Sequence, residues 1–325
     1  MKIVTVPSSM EERTFDQLLG ELAGIPALAS PGEGAATASP ERVLFDARKL
    51  RWVDPYGMVG LLAAGEVAGR EGERPVLQLP ESAEVSSYLA RMGFLKQAEA
   101  LFELHGATRP PRDGASDVLL EITQISSHGD VHEVVERVQG AATLIMAKQL
   151  HYPASAVVQF SVILSEVCQN ILEHADAGGW VAAQTYNWAK RLGRKVAVIA
   201  VMDLGVGFRG SLASGQAARW GERWGDAAAL EAAFLHGITR FPDPGRGQGI
   251  QQIRKQVGRW GGKFSIRSGT AEIADIPDWD DAPPMQEKLP PFPGSQICIV
   301  LPERVEAAAP PTQARPAPSG ARRPR

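Results

Sequence analysis

Apolar positions recur at two periods along this chain. Short runs in strand register alternate with longer stretches in which apolar residues return every three or four positions. Residues 3–6 read as a first strand. From Glu11 to Ala23, Phe15, Leu18, Leu19 and Leu22 fall on one helical face. Val43 to Asp46 is a second strand, a turn over Leu50 to Gly57 opens a helix from Met58 to Glu71, and Val76 to Pro80 is a third strand. Ser82 to Met92 reads as a helix closed by Gly93. Strands alternating with helices at intervals of about thirty residues imply a small α/β layer.

A second series begins near residue 118. Residues 118–125 have strand character, and Val131 to Leu150 is amphipathic, with Val134, Val135, Val138, Leu144, Ile145 and Leu150 apolar. Pro153-Ala154-Ser155 starts a long helix with Phe160, Leu164, Val167 and Ile171 on its core face. Trp180 to Trp188 and Lys195 to Met202 are strands joined by the basic turn 190–194. Residues 208–225 have no clear period, Ala227 to His236 and Gly249 to Trp260 are helical, and Phe264 to Ser268 and Gln296 to Leu301 are closing strands. The acidic, proline-rich stretch 270–294 between them reads as a long hairpin insertion.

Punctuation divides the series. Residues 29–40 are a Pro/Gly-rich loop, and residues 104–117 are a linker. The expected organisation is a domain over 1–103, a domain over 118–302 and a disordered tail over 303–325, whose Ala/Pro run and Arg322-Arg323-Pro324-Arg325 cannot build a core. A length of 325 residues suits two domains, and 44% apolar content suits sizeable cores. The net charge of −3 gives no electrostatic case for nucleic acid. No apolar run is long enough for a membrane span, and the first apolar stretch is too short for a signal peptide, so a cytoplasmic location is expected. The two cysteines, Cys168 and Cys298, lie far apart in apolar segments and suggest neither a disulfide framework nor a cysteine metal site.

Candidate chemistry concentrates in the second series. Glu166, Asn170 and His174 recur every fourth residue and form a polar stripe on one helix face. Asp203-Leu204-Gly205-Val206-Gly207 follows directly on a strand. Gly245-Arg246-Gly247-Gln248-Gly249 opens a helix, and Gly294-Ser295 introduces the last strand. Each motif alone is common. Together and in this order, a carboxylate and a carboxamide on a helix followed by two glycine-rich turns suggest a nucleotide site.

With these motifs, residues 118–302 resemble the ATPase domain shared by histidine kinases, gyrase, MutL and anti-sigma-factor kinases, the Bergerat (GHKL) fold. The resemblance implies an α/β sandwich, a mixed sheet with one helical layer. It also implies ATP and Mg²⁺ as cofactors. Asn170 would ligate the metal, an amide oxygen being a hard ligand. Glu166 would be the general base. Asp203 would accept a hydrogen bond from the adenine amine, with Gly205 and Gly207 allowing close backbone approach. The loop Gly245, Arg246, Gly247, Gln248 and Gly249 would hold the phosphates at a helix N-terminus. Ser295 would hydrogen-bond near the adenine through water, and His174 would either contact the ligand or pack, as a helix-end residue, on the following turn. Residues 208–244 would be a lid ordered by nucleotide, with Trp220 and Trp224 docking on a partner or packing locally. His132-Glu133 lacks the following proline of a histidine-kinase acceptor. The direct approach from helix 131–150 into the Glu166 helix looks most like the anti-sigma-factor serine kinases.

Residues 1–103 resemble the STAS, or anti-sigma-factor-antagonist, fold through the strand ending at Asp46, Trp52-Val53-Asp54-x-x-Gly57, Leu61-Leu62, Val76 to Pro80, and Leu89-x-x-Met92-Gly93-Phe94. Regulatory members carry a phosphoacceptor Ser or Thr directly after the Asp. Here that position is Pro55 and the next is Tyr56, so a docking or scaffolding role is expected of this half. The paired resemblances imply an ATP-dependent switch or Ser/Thr protein kinase acting on a protein partner such as a sigma factor, an anti-sigma antagonist or another STAS protein. The alternative is a non-catalytic scaffold whose docking is set by nucleotide. Neither membrane nor nucleic acid is an expected partner.

Overall fold

A computed structural model describes residues 1–23, 41–70, 72–107, 120–126, 128–170, 178–239 and 249–304. The chain is mixed α/β and builds two principal sheets. The expected loop at 29–40 falls outside the described residues, as do most of the expected linker and tail.

The first sheet is parallel. Strands β1 (Lys2–Thr5), β3 (Val43–Asp46), β5 (Val76–Gln78) and β6 (Glu103–His105) lie in the order β1-β3-β5-β6. β6 pairs with β5, so this layer runs to His105, past the boundary expected at 103. Two short strands absent from the sequence reading, β2 (Ser9–Met10) and β4 (Trp52–Val53), pair beside it. Helix α1 (Glu12–Leu22) buries Phe15, Leu18, Leu19 and Leu22, and Glu11 forms a capping box with Thr14. α3 (Ala83–Arg91) ends at Gly93 in the left-handed conformation, and a further helix, α4 (Phe94–Leu101), follows where none was expected.

Helix α2 (Pro55–Gly69) is the central element between the two sheets. Its N-cap is Asp54, whose side chain accepts from the Gly57 N–H at 2.8 Å, and Pro55 fills the first turn. Every residue from Pro55 to Gly65 is buried. A helix apolar all round must be covered all round. One side carries α1 and α4, and the other lies along the second sheet. Close approach requires glycine here: a Cβ on Gly65 would stand 1.9 Å from the Phe102 ring, and one on Gly57 would stand 2.1 Å from the Met10 carbonyl.

The second sheet contains β7 (Leu120–Ile125), β8 (Gly179–Trp188), β9 (Arg194–Asp203), β10 (Lys263–Gly269), β11 (Ala271–Asp275), β12 (Met285–Gln286) and β13 (Phe292–Pro302), in the order β12-β11-β10-β13-β9-β8-β7. Its strand pairings are antiparallel throughout the described residues, which corrects the expected mixed sheet. Hairpin connections join β8 to β9 and β10 to β11, and two helices within residues 128–170 lie between β7 and the oppositely directed β8. The stretch 270–294, expected as an insertion, supplies β11 and β12. Its strand AEIAD is too short to show a period, and its turn is held by Asp226, whose Oδ2 accepts from the Thr270 N–H at 3.0 Å.

The parity of β9 separates two cores. Ala197, Ile199 and Val201 pack with α6 (Ala154–Asn170) through Phe160, Leu164 and Val167, and with α9 (Gly249–Arg259) through Ile253 and Val257. Helix α5 (His128–Lys148) completes that layer, and the expected core residue Ile171 lies outside the described residues. The alternate set, Val196, Val198, Ala200 and Met202, shares a core with Met58 and Leu62 of α2 and with Phe15 of α1. Both faces of β9 are therefore dry, which is why its sequence is an unbroken apolar run. The N-terminal layer covers the face of the sheet opposite the helices α5, α6 and α9.

Polar contacts ring this inter-sheet core. Lys263 Nζ meets Glu12 Oε2 at 2.6 Å, Arg267 Nη2 meets Asp16 at 2.9 Å, and Arg13 and Arg191 both reach Asp280, at 2.8 and 2.9 Å. The Tyr88 and Tyr186 hydroxyls share a hydrogen bond of 2.5 Å across the same interface.

Candidate functional site

Asp203 is the last residue of β9, paired with Gly179 of β8. By alternation it lies on the same sheet face as Val201, the face that carries α6 and α9. It is 8% exposed. Its Oδ1 accepts from the Gly205 N–H at 2.9 Å, and the Ser295 backbone and hydroxyl also bond to the carboxyl. Burial pushes the carboxyl up to about 6, against the opposing pull of these donors. The expected partners Asp203, Gly205 and Ser295 are thus brought together.

Two glycines make this approach possible. Gly294 has φ 73°, and a Cβ on it would lie 2.0 Å from the Asp203 carbonyl oxygen. Gly207 has φ 63°, and a Cβ there would lie 2.6 Å from Ser268 Oγ and 2.9 Å from the Gly294 carbonyl. Ser268 is a site residue that the sequence reading missed. Its hydroxyl donates to the Gly294 carbonyl at 2.8 Å and accepts from the Phe208 N–H at 3.1 Å. It stands opposite Ser295 in the β10–β13 register. Only strand pairing could have shown this, because a serine ending a strand carries no signal of its own. Substituting Gly294→Ala is expected to lower stability by about 1–3 kcal/mol, from left-handed strain and from the clash at Asp203, read as a lower midpoint in urea unfolding.

Glu166 lies on α6, and its Oε2 is buried without a hydrogen-bond partner among the described residues. Burial raises its pKa. The carboxylate faces the start of α9: a Cβ on Gly249 would lie 2.8 Å from Oε2. Helix α9 opens there, and the dipole of a helix N-terminus favours anions. An orphaned buried carboxylate oxygen at a helix N-terminus fits a site that receives a water or hydroxyl beside a phosphate.

α6 ends at Asn170. The Asn170 side chain, His174, Gly245, Arg246, Gly247 and Gln248 lie outside the described residues. Among the described residues, no group of three or more His, Cys, Asp or Glu side chains is placed to hold a metal ion.

The expected stretch without a period, 208–225, needs correction. Residues 207–220 form helix α7 (Gly207–Trp220), followed by a 3-10 turn (Gly221–Arg223) and α8 (Asp226–Phe234). Phe208 and Leu212, one turn apart on α7, pack with Ala232, Ala233, Trp224 and Ile238. The Gly/Ala-rich composition hides this period, because the small residues bury little while still permitting close packing. Trp220 and Trp224 lie 6.5 Å apart and pack locally. Residues 240–244 of the expected lid lie outside the described residues.

Pro55 and Tyr56, where the expected resemblance would put a phosphoacceptor, are also placed. Asp54 caps α2, and Pro55 and Tyr56 are buried among the residues between the two sheets. They lie on the face of the second sheet opposite Glu166. Among the described residues, no helix is long and apolar enough to cross a membrane. No model of a known protein family matches the chain, and no curated protein matches it.

Proposed function

We propose that the chain binds Mg-ATP and acts as a nucleotide-dependent regulator that transfers the γ-phosphoryl group to a Ser or Thr of a partner protein, in the manner of anti-sigma-factor kinases. The observation that carries this reading is the buried Asp203, held by the Gly205 N–H and by Ser295 at the end of a central strand, on the sheet face that also carries Glu166 and α9. A buried carboxylate with spare lone pairs is suited to accept from the exocyclic amine of adenine. Gly207 and Gly294 leave room for a flat base beside the backbone.

In this reading Glu166 removes the proton from the attacking hydroxyl as the oxygen–phosphorus bond forms and the bond to ADP breaks. Burial raises its pKa, which favours its taking up a proton. Magnesium ion, when bound, neutralises phosphate charge, and Asn170 at the end of α6 is the residue assigned to it. The expected acceptor position of the N-terminal layer does not supply that hydroxyl, because Pro55 has none and Tyr56 is buried on the far face of the sheet.

That same burial supports a second reading, a scaffold in which nucleotide only controls docking. One variant separates the two. Glu166→Gln is expected to bind ATP within about 3-fold of the wild type while phosphoryl transfer falls about 10²–10⁴-fold. Calorimetry with Mg-ATP measures the binding, and labelled γ-phosphate transfer with candidate partners measures the chemistry. Absence of ATP binding by the wild-type protein would overturn the nucleotide reading. Binding without turnover in the presence of partners would leave the scaffold.

A further inference from the structure

We propose that Arg70, in the N-terminal layer, is a positioning residue for the turn that reads adenine, and that through it the N-terminal layer is energetically linked to the nucleotide site. The inference rests on the assignment of Asp203 as the adenine contact.

Arg70 is the C-cap residue of α2. Its Nη2 donates to the carbonyl oxygen of Leu204 at 3.3 Å, across 134 residues of sequence. That carbonyl belongs to the peptide group between Leu204 and Gly205. The N–H of the same peptide group donates to Asp203 Oδ1 at 2.9 Å. A peptide unit is planar, and its C=O and N–H point in opposite directions along one dipole. Arg70 therefore grips one end of the unit whose other end holds the carboxylate. A cation on the carbonyl polarises the amide and strengthens the bond its N–H makes. The path from guanidinium through peptide to carboxylate needs no moving parts, and it fixes where Asp203 points.

The surroundings make this contact specific to the N-terminal layer. Glu66, one turn back on α2, lies 3.8 Å from the same Nη2 and orients the guanidinium. Leu204 is buried in the core shared with α2. Opposite the turn, Phe292 packs edge-on against Phe15 of α1 with centroids 5.4 Å apart, two residues before Gly294. Both chain segments that enclose Asp203 are thus seated on the N-terminal layer. A partner that shifts α1 or α2 would alter adenine affinity, and nucleotide would alter partner affinity by the same factor.

Arg70→Met keeps the aliphatic stem and removes the donor. Arg70→Lys keeps a donor and the charge. Two ligands are compared: Mg-ATP, by calorimetry, and Mg-tripolyphosphate, which lacks a base, by the thermal shift it produces at saturating concentration. Arg70→Met is expected to weaken ATP about 3–10-fold while the tripolyphosphate response stays at the wild-type value, and Arg70→Lys is expected to recover part of the ATP loss. An equal loss for both ligands would assign Arg70 a general structural role and overturn the proposal, as would unchanged ATP affinity. Arg70→Leu, which also lacks a donor, carries the same comparison if the methionine variant does not fold. A wild-type protein that fails to bind ATP defeats the nucleotide assignment itself. Wild-type binding with an indifferent Arg70→Met defeats only the link.

Discussion

Arg267→Ala is expected to destabilise the fold by about 3–5 kcal/mol, the cost typical of breaking a buried ion pair from one side. Arg267 sits on β10, 1% exposed, between the two sheets. Its Nε donates to Asp16 Oδ1 at 3.0 Å, its Nη1 to the Gly269 carbonyl at 3.2 Å and to Gln296 Oε1 at 3.3 Å, and its Nη2 to the Pro290 carbonyl. Its guanidinium also lies over the Phe15 ring. Alanine removes all five donors at once. Asp16 loses its counter-charge, the Gly269 and Pro290 carbonyls and the Gln296 amide lose a donor, and a void remains under Phe15. Urea unfolding followed by tryptophan fluorescence and by circular dichroism measures the cost. Both probes should report one coincident transition, because α1, α2 and the outer face of β9 share a single core. A loss below about 1 kcal/mol, or two separate transitions, would mean that the two sheets are stabilised independently.

Asp203→Asn is expected to weaken ATP binding about 10–100-fold, the range for losing a charge-assisted bond to a buried acceptor. The same substitution is expected to stabilise the ligand-free protein by about 1–3 kcal/mol at pH 7. Burial raises the Asp203 carboxyl from 3.8 to about 6. The folded chain therefore holds this proton more tightly than the unfolded chain does. The resulting stabilisation is complete below 3.8 and is lost as pH rises through about 6, so at neutral pH the wild type carries a buried charge at a net cost. Asparagine keeps an acceptor for the Gly205 N–H and carries no charge. Its advantage over the wild type should appear as pH rises through that window. ATP binding by the wild type should weaken below about pH 6, where the carboxyl takes up its proton. Parallel stability and calorimetric titrations between pH 4 and pH 8 would check both effects. A variant that loses stability and keeps its ATP affinity would remove Asp203 from the proposed role.

Sequence reading located most strands and helices because their periods are strong. Val43–Asp46 falls where the pattern placed it, and β8 and β9 differ from their expected bounds by a residue at each shifted end. Short elements escaped. β2, β4, β6 and β12 have two or three residues each, too few to display alternation. Helix α7 escaped because glycine, alanine and serine dilute its apolar spacing, although Phe208 and Leu212 anchor it. At the candidate site, the residues with a local signature were legible: a carboxylate ending an apolar strand before two glycines, and a carboxylate inside a helix. Ser268 and Arg70 were not, because each hydrogen-bonds to a backbone group remote in sequence.

By itself, the sequence determined where the chain is straight, coiled or turned. It also gave β9 an unbroken apolar run, and the structure shows both faces of that strand covered. It marked Glu166 as part of a polar stripe on a helix, and Asp203 and Gly294-Ser295 as chemistry set among glycines. Only the tertiary structure decided what covers the second face of that sheet. Helix α2 is buried all round, and periodicity reports burial without naming the partner. The tertiary structure also decided that Pro55 and Tyr56 lie between the sheets, opposite Glu166, and that Asp16 neutralises Arg267 across 251 residues of chain. Such pairings depend on how two finished layers meet, and that meeting has no local trace in the order of residues.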